Sequence, residues 1–321
     1  MRAFITGVTG FAGSHLAEHL LASGDEVLGS SQRGQWAVGV PIEVQRAVQL
    51  FTWDLTAGLS DTTRQIVRNF RPDTVYHLAA ISVPSECGAI EPSPRAMASN
   101  VSGTQAIINL CREFANQPRM LLSSSCYVYA PVSPNAPVVT EDAPVDPRRA
   151  YGKTKLLAEL ELLRAVQDQK LDGVIARSFQ HTGPRQSPQM ILPDWIRQFT
   201  SSDDQPVRVG CLDTHLDLTD VRDICRAYRR LAVDGQRGTV YNVGSGVDRR
   251  SGDLLEMIQR CSNARREVIE LEPGRRQHPI ADISRLTQQT GWKPEITLEQ
   301  TVTDTLNYWR EQRSRKEGTD S

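Results

Sequence analysis

The stretch RAFITGVTGFAGSHLAEHLLASG (2–24) contains the pattern on which the fold depends. Residues 2–7 are an apolar run that predicts a strand, and residues 14–24 have the apolar spacing of a helix that ends near Gly24. Glycine in the intervening turn permits a close approach of the backbone to a pyrophosphate, and the helix N-terminus adds N–H groups. We therefore expect a strand–turn–helix unit for a dinucleotide, bordered by Gly7, Gly10, Phe11, Ala12 and Gly13.

The rest of the chain alternates short apolar runs with helical patterns. Expected strands lie within 25–30, 71–80, 119–126, 173–179 and 239–245, and expected helices within 100–115 and 150–168. The runs are continuously apolar, which is typical of a parallel sheet covered by helices on both faces. The pattern predicts an α/β fold, a Rossmann-type doubly wound parallel sheet with a smaller C-terminal α/β region for substrate.

Proline and glycine clusters at 131–147 and 183–193 indicate where the chain leaves this sheet. We expect residues 1–179 to form the dinucleotide-binding domain, with 206–244 returning to it. Residues 180–205 and 245–321 are expected to form the substrate-binding region.

Composition argues against several classes of function. Charged residues make up 23% of the 321 and the formal net charge is −1, so a basic footprint for nucleic acid is not indicated. The six cysteines have no CxxC spacing, which favours reduced thiols. We expect a cytoplasmic chain with no signal peptide and no membrane partner, because no apolar run approaches a bilayer span.

The end of the second expected strand bears on the choice of cofactor. Folds of this kind that use NAD usually carry an acid there, which binds the ribose diol. Here that place holds Ser30, and the residues that follow it include Arg33 but no carboxylate. Because Arg33 can meet a 2′-phosphate, we predict that NADP(H) is preferred, with NAD(H) possible.

The first helix also contains His15, Glu18 and His19 in the H-x-x-E-H spacing of a zinc peptidase. A metal there would compete with the dinucleotide at the preceding turn. Two histidines on the helix surface are the favoured interpretation, and no metal site is predicted.

A second motif, AYGKTKLLAE (150–159), carries Tyr151 and Lys155 on one helix face. A lysine ammonium near a phenol stabilises the phenolate and so lowers the pKa of Tyr151. Such a tyrosine exchanges a proton with an alcohol oxygen near neutral pH. Since Tyr-x-x-x-Lys also occurs by chance on exposed helices, the interpretation depends on the accompanying motifs.

Taken in order, the motifs resemble those of the extended short-chain dehydrogenase/reductase family. The landmarks are TGVTGFAG, Asp54-Leu55, HLAA (77–80), NVSGT (100–104), SSS (123–125) and YGKTK (151–155). The resemblance implies cofactor contacts from Asp54 and Leu55 at the adenine, from Leu78, Ala79 and Ala80 along the phosphate and ribose path, and from Lys155 and Tyr151 near the nicotinamide ribose.

The same resemblance implies a catalytic set of Ser125, Tyr151 and Lys155. Alignment on Tyr129 makes Ser125 the serine that hydrogen-bonds the reacting oxygen beside Tyr151. Asn100, counted with the cofactor positions, supports the active-site architecture.

The C-terminal half is similar to the GDP-sugar enzymes of this family, in segments 177–188, 217–228, 240–246 and 291–310. This implies a nucleotide-sugar substrate, GDP-linked rather than UDP- or dTDP-linked, and a homodimer through helices 100–115 and 151–168. The chain has Gln180 where asparagine is usual, and Leu216-Asp217-Leu218 where Arg-Asp-Phe is usual. The substrate positions that we expect are Ser82, Gln180, His181, Arg185, Arg275 and Arg276.

The two residues that follow the expected catalytic serine limit the reactions that we expect of this chain. The 4,6-dehydratases of the family carry acids there, whereas this chain has Cys126 and Tyr127, which are poor proton donors and acceptors for elimination at neutral pH. Reduction of a 4-keto group in a GDP-6-deoxyhexose is the favoured hypothesis. The alternatives are a nucleotide-sugar 4-epimerase with tightly bound NAD, a GDP-mannose 4,6-dehydratase and a non-catalytic dinucleotide sensor.

Overall fold

The computed structural model describes residues 1–168, 171–201 and 205–317. The strands in these residues are β1 Arg2–Thr6, β2 Glu26–Ser31, β3 Gln49–Thr52, β4 Thr74–His77, β5 Arg119–Ser125, β6 Val138–Val139, β7 Gly173–Ser178, β8 Gln180–Thr182, β9 Val207–Val209, β10 Thr214–Asp220, β11 Val240–Val243, β12 Asp248–Arg250, β13 Val268–Glu270, β14 Arg276–Gln277 and β15 Ile280–Ala281.

The helices are α1 Phe11–Ala22, α2 Ile42–Ala47, α3 Asp61–Phe70, α4 Pro84–Cys87, α5 Pro94–Met97, α6 Gly103–Arg112, α7 Ala150–Gln167, α8 Ile191–Phe199, α9 Val221–Asp234, α10 Ser251–Ser262, α11 Ser284–Thr290 and α12 Leu298–Glu317. Short 3₁₀ turns cover Leu55–Ala57 and Cys126–Val128, and a π-helical turn covers Ala98–Ser102. Among the described residues, no helix has the length and apolar character needed to cross a bilayer.

The main sheet has the order β11-β7-β5-β4-β1-β2-β3 within the described chain. Every neighbouring pair in it is parallel. One face packs against α1 and α9 through residues such as Leu20 and Tyr228, and the other against α6 and α7 through residues such as Ile107 and Leu162. The predicted doubly wound α/β fold is therefore confirmed.

The edge strand β3 was not predicted from the sequence. Its four residues, Gln49–Thr52, are half-buried or exposed. They lie at the border of the sheet and, among the described strands, pair with β2 alone, so they lack the continuous apolar character of the central strands. The strand matters because it leads directly to Asp54 and Leu55.

A smaller region is built from β8 to β10 and β12 to β14. Strand β10 pairs with β8, β12 and β14, and β9 pairs with β13. Helices α8, α10 and α12 form a separate apolar cluster that includes Trp195, Leu255 and Val302. The pairing therefore places 207–220 beside the smaller sheets, and the chain returns to the main sheet with α9 rather than at residue 206. Of the expected substrate-binding region, residues 202–204 and 318–321 lie outside the described residues.

The carboxyl ends of the central strands meet at one edge of the main sheet. Gly7 follows β1, the segment 78–81 follows β4, and Ser125 ends β5. In open parallel sheets, ligands bind at this edge. The fold thus brings together motifs that are more than a hundred residues apart in the sequence.

Candidate active site

The turn after β1 forms a cradle that only glycine can line. Gly7 has a φ of +73°, and a Cβ there would lie 2.9 Å from the Ala79 Cα. A Cβ on Gly13 would collide with the carbonyl of Gly7. Helix α1 begins at Phe11, and its N-cap Gly10 provides no side-chain cap. This leaves N–H groups at the helix start for an anionic ligand, so the residues present fit a dinucleotide diphosphate.

The residues expected near the adenosine end lie around β2 and β3. Ser30 is buried and its carbonyl accepts hydrogen bonds from the backbone N–H of Gly7, at 2.8 Å, and of Val8, at 3.1 Å. Asp54 accepts a hydrogen bond from Gln32 Nε2 at 3.0 Å, and this bond is the main reason why the pKa of Asp54 is lowered. Arg33 is exposed beside them.

Leu55 and the segment 78–80 border the same region. A Cβ on Gly103 would lie 3.0 Å from the Leu55 Cβ, so the glycine of the NVSGT motif makes room for Leu55. The Ala79 N–H donates to the Thr6 hydroxyl at 3.2 Å, which joins the end of β4 to the end of β1. Leu78 and Ala80 are half-buried on either side of it.

The predicted catalytic residues converge at the end of β5. Ser125 is buried there, and its hydroxyl accepts a hydrogen bond from the Tyr127 N–H at 3.2 Å. Tyr151 and Lys155 lie one turn apart on α7, with the Lys155 Nζ 5.7 Å from the centre of the Tyr151 ring. The ammonium donates to the Ser123 carbonyl at 2.7 Å, which fixes the lysine beside the strand end. Within the described residues, the Tyr151 hydroxyl has no hydrogen-bond partner.

Burial dominates the titration of this pair. It lowers the pKa of Lys155 to about 8, so the ammonium form still predominates at neutral pH. Burial also raises the pKa of Tyr151, with further contributions from neighbouring tyrosines and cysteines. The sequence prediction of a lowered pKa for Tyr151 is therefore wrong for the chain by itself, because burial disfavours the charged phenolate. The phenol is protonated at neutral pH.

Asn100 supports this arrangement from within the protein. Its Nδ2 donates to the Ile81 carbonyl at 2.9 Å and to the Thr154 hydroxyl at 3.0 Å, and its Oδ1 accepts from the Ile81 N–H at 2.7 Å. Thr154 in turn donates to the Tyr151 carbonyl at 2.8 Å. Asn100 therefore joins the loop after β4 to the first turn of α7, and its amide hydrogens are used inside the chain.

Glu159 is a structural partner that was not predicted from the sequence. It lies one turn beyond Lys155 on the same face of α7, where it pairs with Arg177 of β7 at 2.8 Å. It also accepts a short hydrogen bond from the Ser124 hydroxyl. Its spacing from Tyr151 and Lys155 could have indicated it, because residues 151, 155 and 159 form one stripe on the helix.

The other side chains of the strand end have packing roles. The Ser123 hydroxyl bonds the Tyr228 hydroxyl at 2.9 Å. Cys126 is buried in an apolar cluster with Val128 and Phe179, and burial raises the pKa of its thiol to about 12. A thiol that stays protonated is a poor nucleophile, so we assign Cys126 a packing role.

Gln180, a predicted substrate residue, is connected to Tyr151 through Tyr127. Its Nε2 is 3.5 Å from the Tyr127 hydroxyl, and its Oε1 is buried without a partner among the described residues. The Tyr127 ring contacts the ring of Tyr151 edge-on, with centres 6.4 Å apart, and that of His278, with centres 6.1 Å apart. His278 was missed because it carries no motif of its own.

His181 and Ser82 occupy different surroundings. The His181 ring stacks on that of Phe11 in the glycine turn, with centres 5.9 Å apart, and its Nδ1 lies 2.9 Å from the Phe179 carbonyl. His181 therefore joins β8 to the cofactor cradle. Ser82 is exposed in the loop after β4.

Arg185 is committed to α1 instead of to an open site. Its guanidinium pairs with Glu18 at 2.6 Å, and its side chain is only 5% exposed. The Arg185 Nη2 also lies 2.5 Å from His15 Nδ1, while His15 Nε2 lies 2.9 Å from the Pro184 carbonyl. Burial lowers the pKa of His15 to about 3, so the ring is neutral, with its proton on Nε2 and its Nδ1 accepting from the arginine.

The contacts of Arg185 with His15 and Glu18, called here the Arg185 clamp, change the interpretation of the H-x-x-E-H motif. His15 is buried rather than on the helix surface, and it contacts Arg185 together with Glu18. Among the residues that the structure describes, no group of three metal-ligating side chains is found. The spacing of the motif serves the contact between α1 and the loop after β8.

The remaining two predicted substrate arginines are on the surface. Arg275 is exposed in the turn before β14. Arg276 pairs with Glu272 at 2.6 Å, and that contact is the main reason why its pKa is raised.

Comparison with known proteins agrees with this geometry. The model of the family described as GDP-mannose 4,6 dehydratase matches residues 4–305. GDP-6-deoxy-D-mannose reductase of Pseudomonas aeruginosa is 30% identical over 98% of this chain and 99% of its own length. UDP-glucose 4-epimerase of Mycolicibacterium smegmatis is 27% identical over 97% of this chain and 99% of its own.

The solved structure of RMD from Pseudomonas aeruginosa complexed with NADPH superimposes with a TM-score of 0.82. It is 27% identical and covers 97% of this chain and 99% of that one. The family match extends over both the dinucleotide-binding sheet and the smaller region, and the relatives that share it are nucleotide-sugar reductases, epimerases and dehydratases. The chain therefore belongs to the GDP-mannose 4,6-dehydratase family of extended short-chain dehydrogenase/reductase enzymes.

Proposed function

We propose that this enzyme is an NADP(H)-dependent reductase of the 4-keto group in a GDP-linked 6-deoxyhexose. The observation that carries the proposal is the convergence of Ser125, Tyr151 and Lys155 at a strand end where Cys126 and Tyr127, rather than acids, come next. The 30% identity with GDP-6-deoxy-D-mannose reductase supports the choice of substrate.

The residues divide the chemistry between them. When bound, the dinucleotide supplies the hydride that reaches carbon 4. Ser125 and Tyr151 donate hydrogen bonds to the keto oxygen as it gains negative charge, and Tyr151 then transfers its proton to that oxygen. Lys155 stabilises the phenolate that is left behind until solvent returns the proton. The raised pKa of Tyr151 suits this direction, because reduction needs a protonated phenol at the start.

The residues around β2 support NADP(H) as the preferred cofactor. Arg33 is exposed beside Gln32 and Asp54, and within the described part of the chain it has no ion-pair partner. Its guanidinium is therefore available for a 2′-phosphate. The relative RMD was solved with NADPH. We expect Arg33→Ala to raise the Kd for NADPH at least tenfold and to leave that for NADH nearly unchanged.

The reaction is tested by following absorbance of NADPH at 340 nm. The substrate is GDP-4-keto-6-deoxymannose, prepared from GDP-mannose with a separate dehydratase, and the dTDP-linked 4-keto-6-deoxyhexose serves as the comparison. The proposal predicts oxidation of NADPH with the GDP substrate and its loss in Tyr151→Phe. Conversion of a nucleotide hexose into its 4-epimer without added cofactor would instead establish the epimerase.

The epimerase is the second candidate because the UDP-glucose 4-epimerase of Mycolicibacterium smegmatis is 27% identical over nearly the whole chain. An epimerase needs the same serine, tyrosine and lysine, but its tyrosine must first accept a proton. The burial of Tyr151 opposes that first step. A dehydratase is the weakest of the catalytic candidates, because Cys126 and Tyr127 cannot replace its acids.

We also propose a homodimer formed through α6 and α7. Leu157 and Leu160 of α7 are 38% and 40% exposed, which leaves apolar surface on a helix whose opposite face is buried. Light scattering of the purified protein would give twice the chain mass of 35.7 kDa. Leu157→Glu combined with Leu160→Glu should shift that mass to the monomer.

A further inference from the structure

The segment 32–40, called here the ribose loop, connects β2 to the start of α2 and contains Arg33. At one end the Gly34 N–H donates to the Ser31 hydroxyl at 2.8 Å. At the other end Val40 is buried in the core beside α1. Between these anchors Trp36 and Ala37 pack in part against the same core, but Val38 is 71% exposed, so core packing leaves the middle of the loop at Val38 without a side-chain anchor.

Tyr308 of α12 holds that middle part. Its hydroxyl donates to the Val38 carbonyl at 2.9 Å. Gly39 has a φ of +84°, and a Cβ at this position would lie 2.5 Å from Tyr308 Cε2. The glycine is required both by its backbone conformation and by the tyrosine ring above it.

The tyrosine comes from the smaller region and not from the cofactor domain. Leu298, Val302 and Leu306 of α12 are buried in the apolar cluster with α8 and α10. Trp309, which follows Tyr308, contacts it edge-on with ring centres 5.3 Å apart. The Arg197 guanidinium lies over the Trp309 ring, 5.5 Å from its centre. The position of Tyr308 is therefore set by the region expected to bind the substrate.

We propose that Tyr308 is a positioning residue that selects NADP(H) by holding the ribose loop. An ordered loop presents Arg33 to the 2′-phosphate without the entropic cost of ordering it at the moment of binding. Only the phosphorylated cofactor needs Arg33, so loss of the hold weakens NADP(H) and spares NAD(H). The inference rests on the cofactor preference proposed above. It assigns a part in that preference to a residue of the smaller region.

The first test compares Tyr308→Phe with Asn307→Ala, an exposed neighbour on the same helix. Removal of one hydrogen bond of ordinary net strength should raise the Kd for NADPH roughly 3- to 10-fold. The Kd for NADH should stay within about twofold, and Asn307→Ala should match the wild type in both. An equal rise for both cofactors, or no rise for NADPH, would overturn the proposal.

The second test does not depend on the cofactor preference. Trypsin cuts after Arg33 only when the ribose loop opens, so the rate of cleavage at that bond, followed by mass spectrometry, reports its hold. Tyr308→Phe should raise this rate several-fold in the free protein, with Asn307→Ala unchanged. If the wild type binds NADH as tightly as NADPH, the cofactor preference is wrong and the cleavage rate still tests the hold. Equal cleavage in Tyr308→Phe and the wild type would show that Tyr308 does not hold the loop.

Discussion

Replacing Lys155 with methionine should make the protein more stable at pH 7 while abolishing activity. The side chain is 4% exposed, and burial lowers its pKa from the ordinary 10.5 to about 8. At pH 7 Lys155 is therefore protonated in the folded protein, although it binds that proton less tightly there than in the unfolded chain. A shift of this size corresponds to about 3 kcal/mol of destabilisation. The variant also loses the hydrogen bond to the Ser123 carbonyl, which costs roughly 1.5 kcal/mol. The free energy of unfolding should therefore rise by about 1–2 kcal/mol.

The pH dependence provides the sharper test. Between the folded pKa of about 8 and the unfolded value of 10.5, the unfolded chain binds more protons at Lys155, so the wild type gains stability as the pH rises. The penalty falls from about 3 kcal/mol at pH 7 to about 2 kcal/mol at pH 9. The advantage of Lys155→Met should shrink by the same amount, about 1 kcal/mol. Titratable groups that do not interact with Lys155 affect both proteins equally and cancel in the difference.

The assay is urea denaturation of wild type and variant at pH 7 and pH 9. Lys153→Met is the matched control, because Lys153 lies on the same helix and makes a surface pair with Glu91 at 2.5 Å. Its replacement should cost less than about 1 kcal/mol, with little change between the two pH values. A Lys155→Met protein that is destabilised by the same amount at both pH values would refute the burial argument. Turnover of the wild type should also decline as the pH rises through about 8, where Lys155 loses its charge.

Two further predictions concern groups buried beside the site. Glu159→Gln leaves the Arg177 guanidinium buried without its counter-charge, which should cost about 3 kcal/mol and lower Tm by roughly 5 °C in differential scanning calorimetry. Glu161→Gln, which breaks a more exposed pair on the same helix, should change Tm by about 1 °C, and equal shifts would contradict the argument. Iodoacetamide at pH 8 should leave Cys126 unmodified while alkylating the partly exposed Cys261, as read by peptide mass spectrometry. Rapid modification of Cys126 in the folded protein would show that its thiol is neither buried nor neutral.

The main sheet could be predicted because its central strands are apolar on both faces. Where the burial of a strand depends on which other element packs against it, the sequence pattern does not predict the strand. The edge strand Gln49–Thr52 has two half-buried and two exposed residues, and nothing in four such letters marks a strand. Strand Thr214–Asp220 contains two aspartates, yet Asp217 is fully buried and accepts the N–H groups of Ser245 and Gly246 at 2.7 and 2.8 Å. Its place in the smaller region depends on residues about thirty positions away.

The site divides in the same way between local spacing and distant contact. The spacing of Tyr151 and Lys155 and the serines of β5 locate the catalytic candidates, because these relations are local to one helix and one strand end. The direction of the Tyr151 pKa depends on how much water the folded chain excludes, which no motif records. The clamp on Arg185 joins residues about 170 positions apart, so a charged residue that seemed free for a substrate is paired inside the protein.

The stripe of Tyr151, Lys155 and Glu159 on α7 determines how that helix lies against the end of β5. Because β5 and β7 are parallel, the helix between them runs back along β5. Four residues of that helix advance about 6 Å, and two residues of a strand advance about 6.6 Å. Once Lys155 is bonded to the Ser123 carbonyl, Tyr151 therefore comes level with Ser125. Glu159 fixes the other end of the stripe through Ser124, so weakening that anchor should reduce turnover more than cofactor affinity, because it displaces the tyrosine from the serine and leaves the glycine cradle in place.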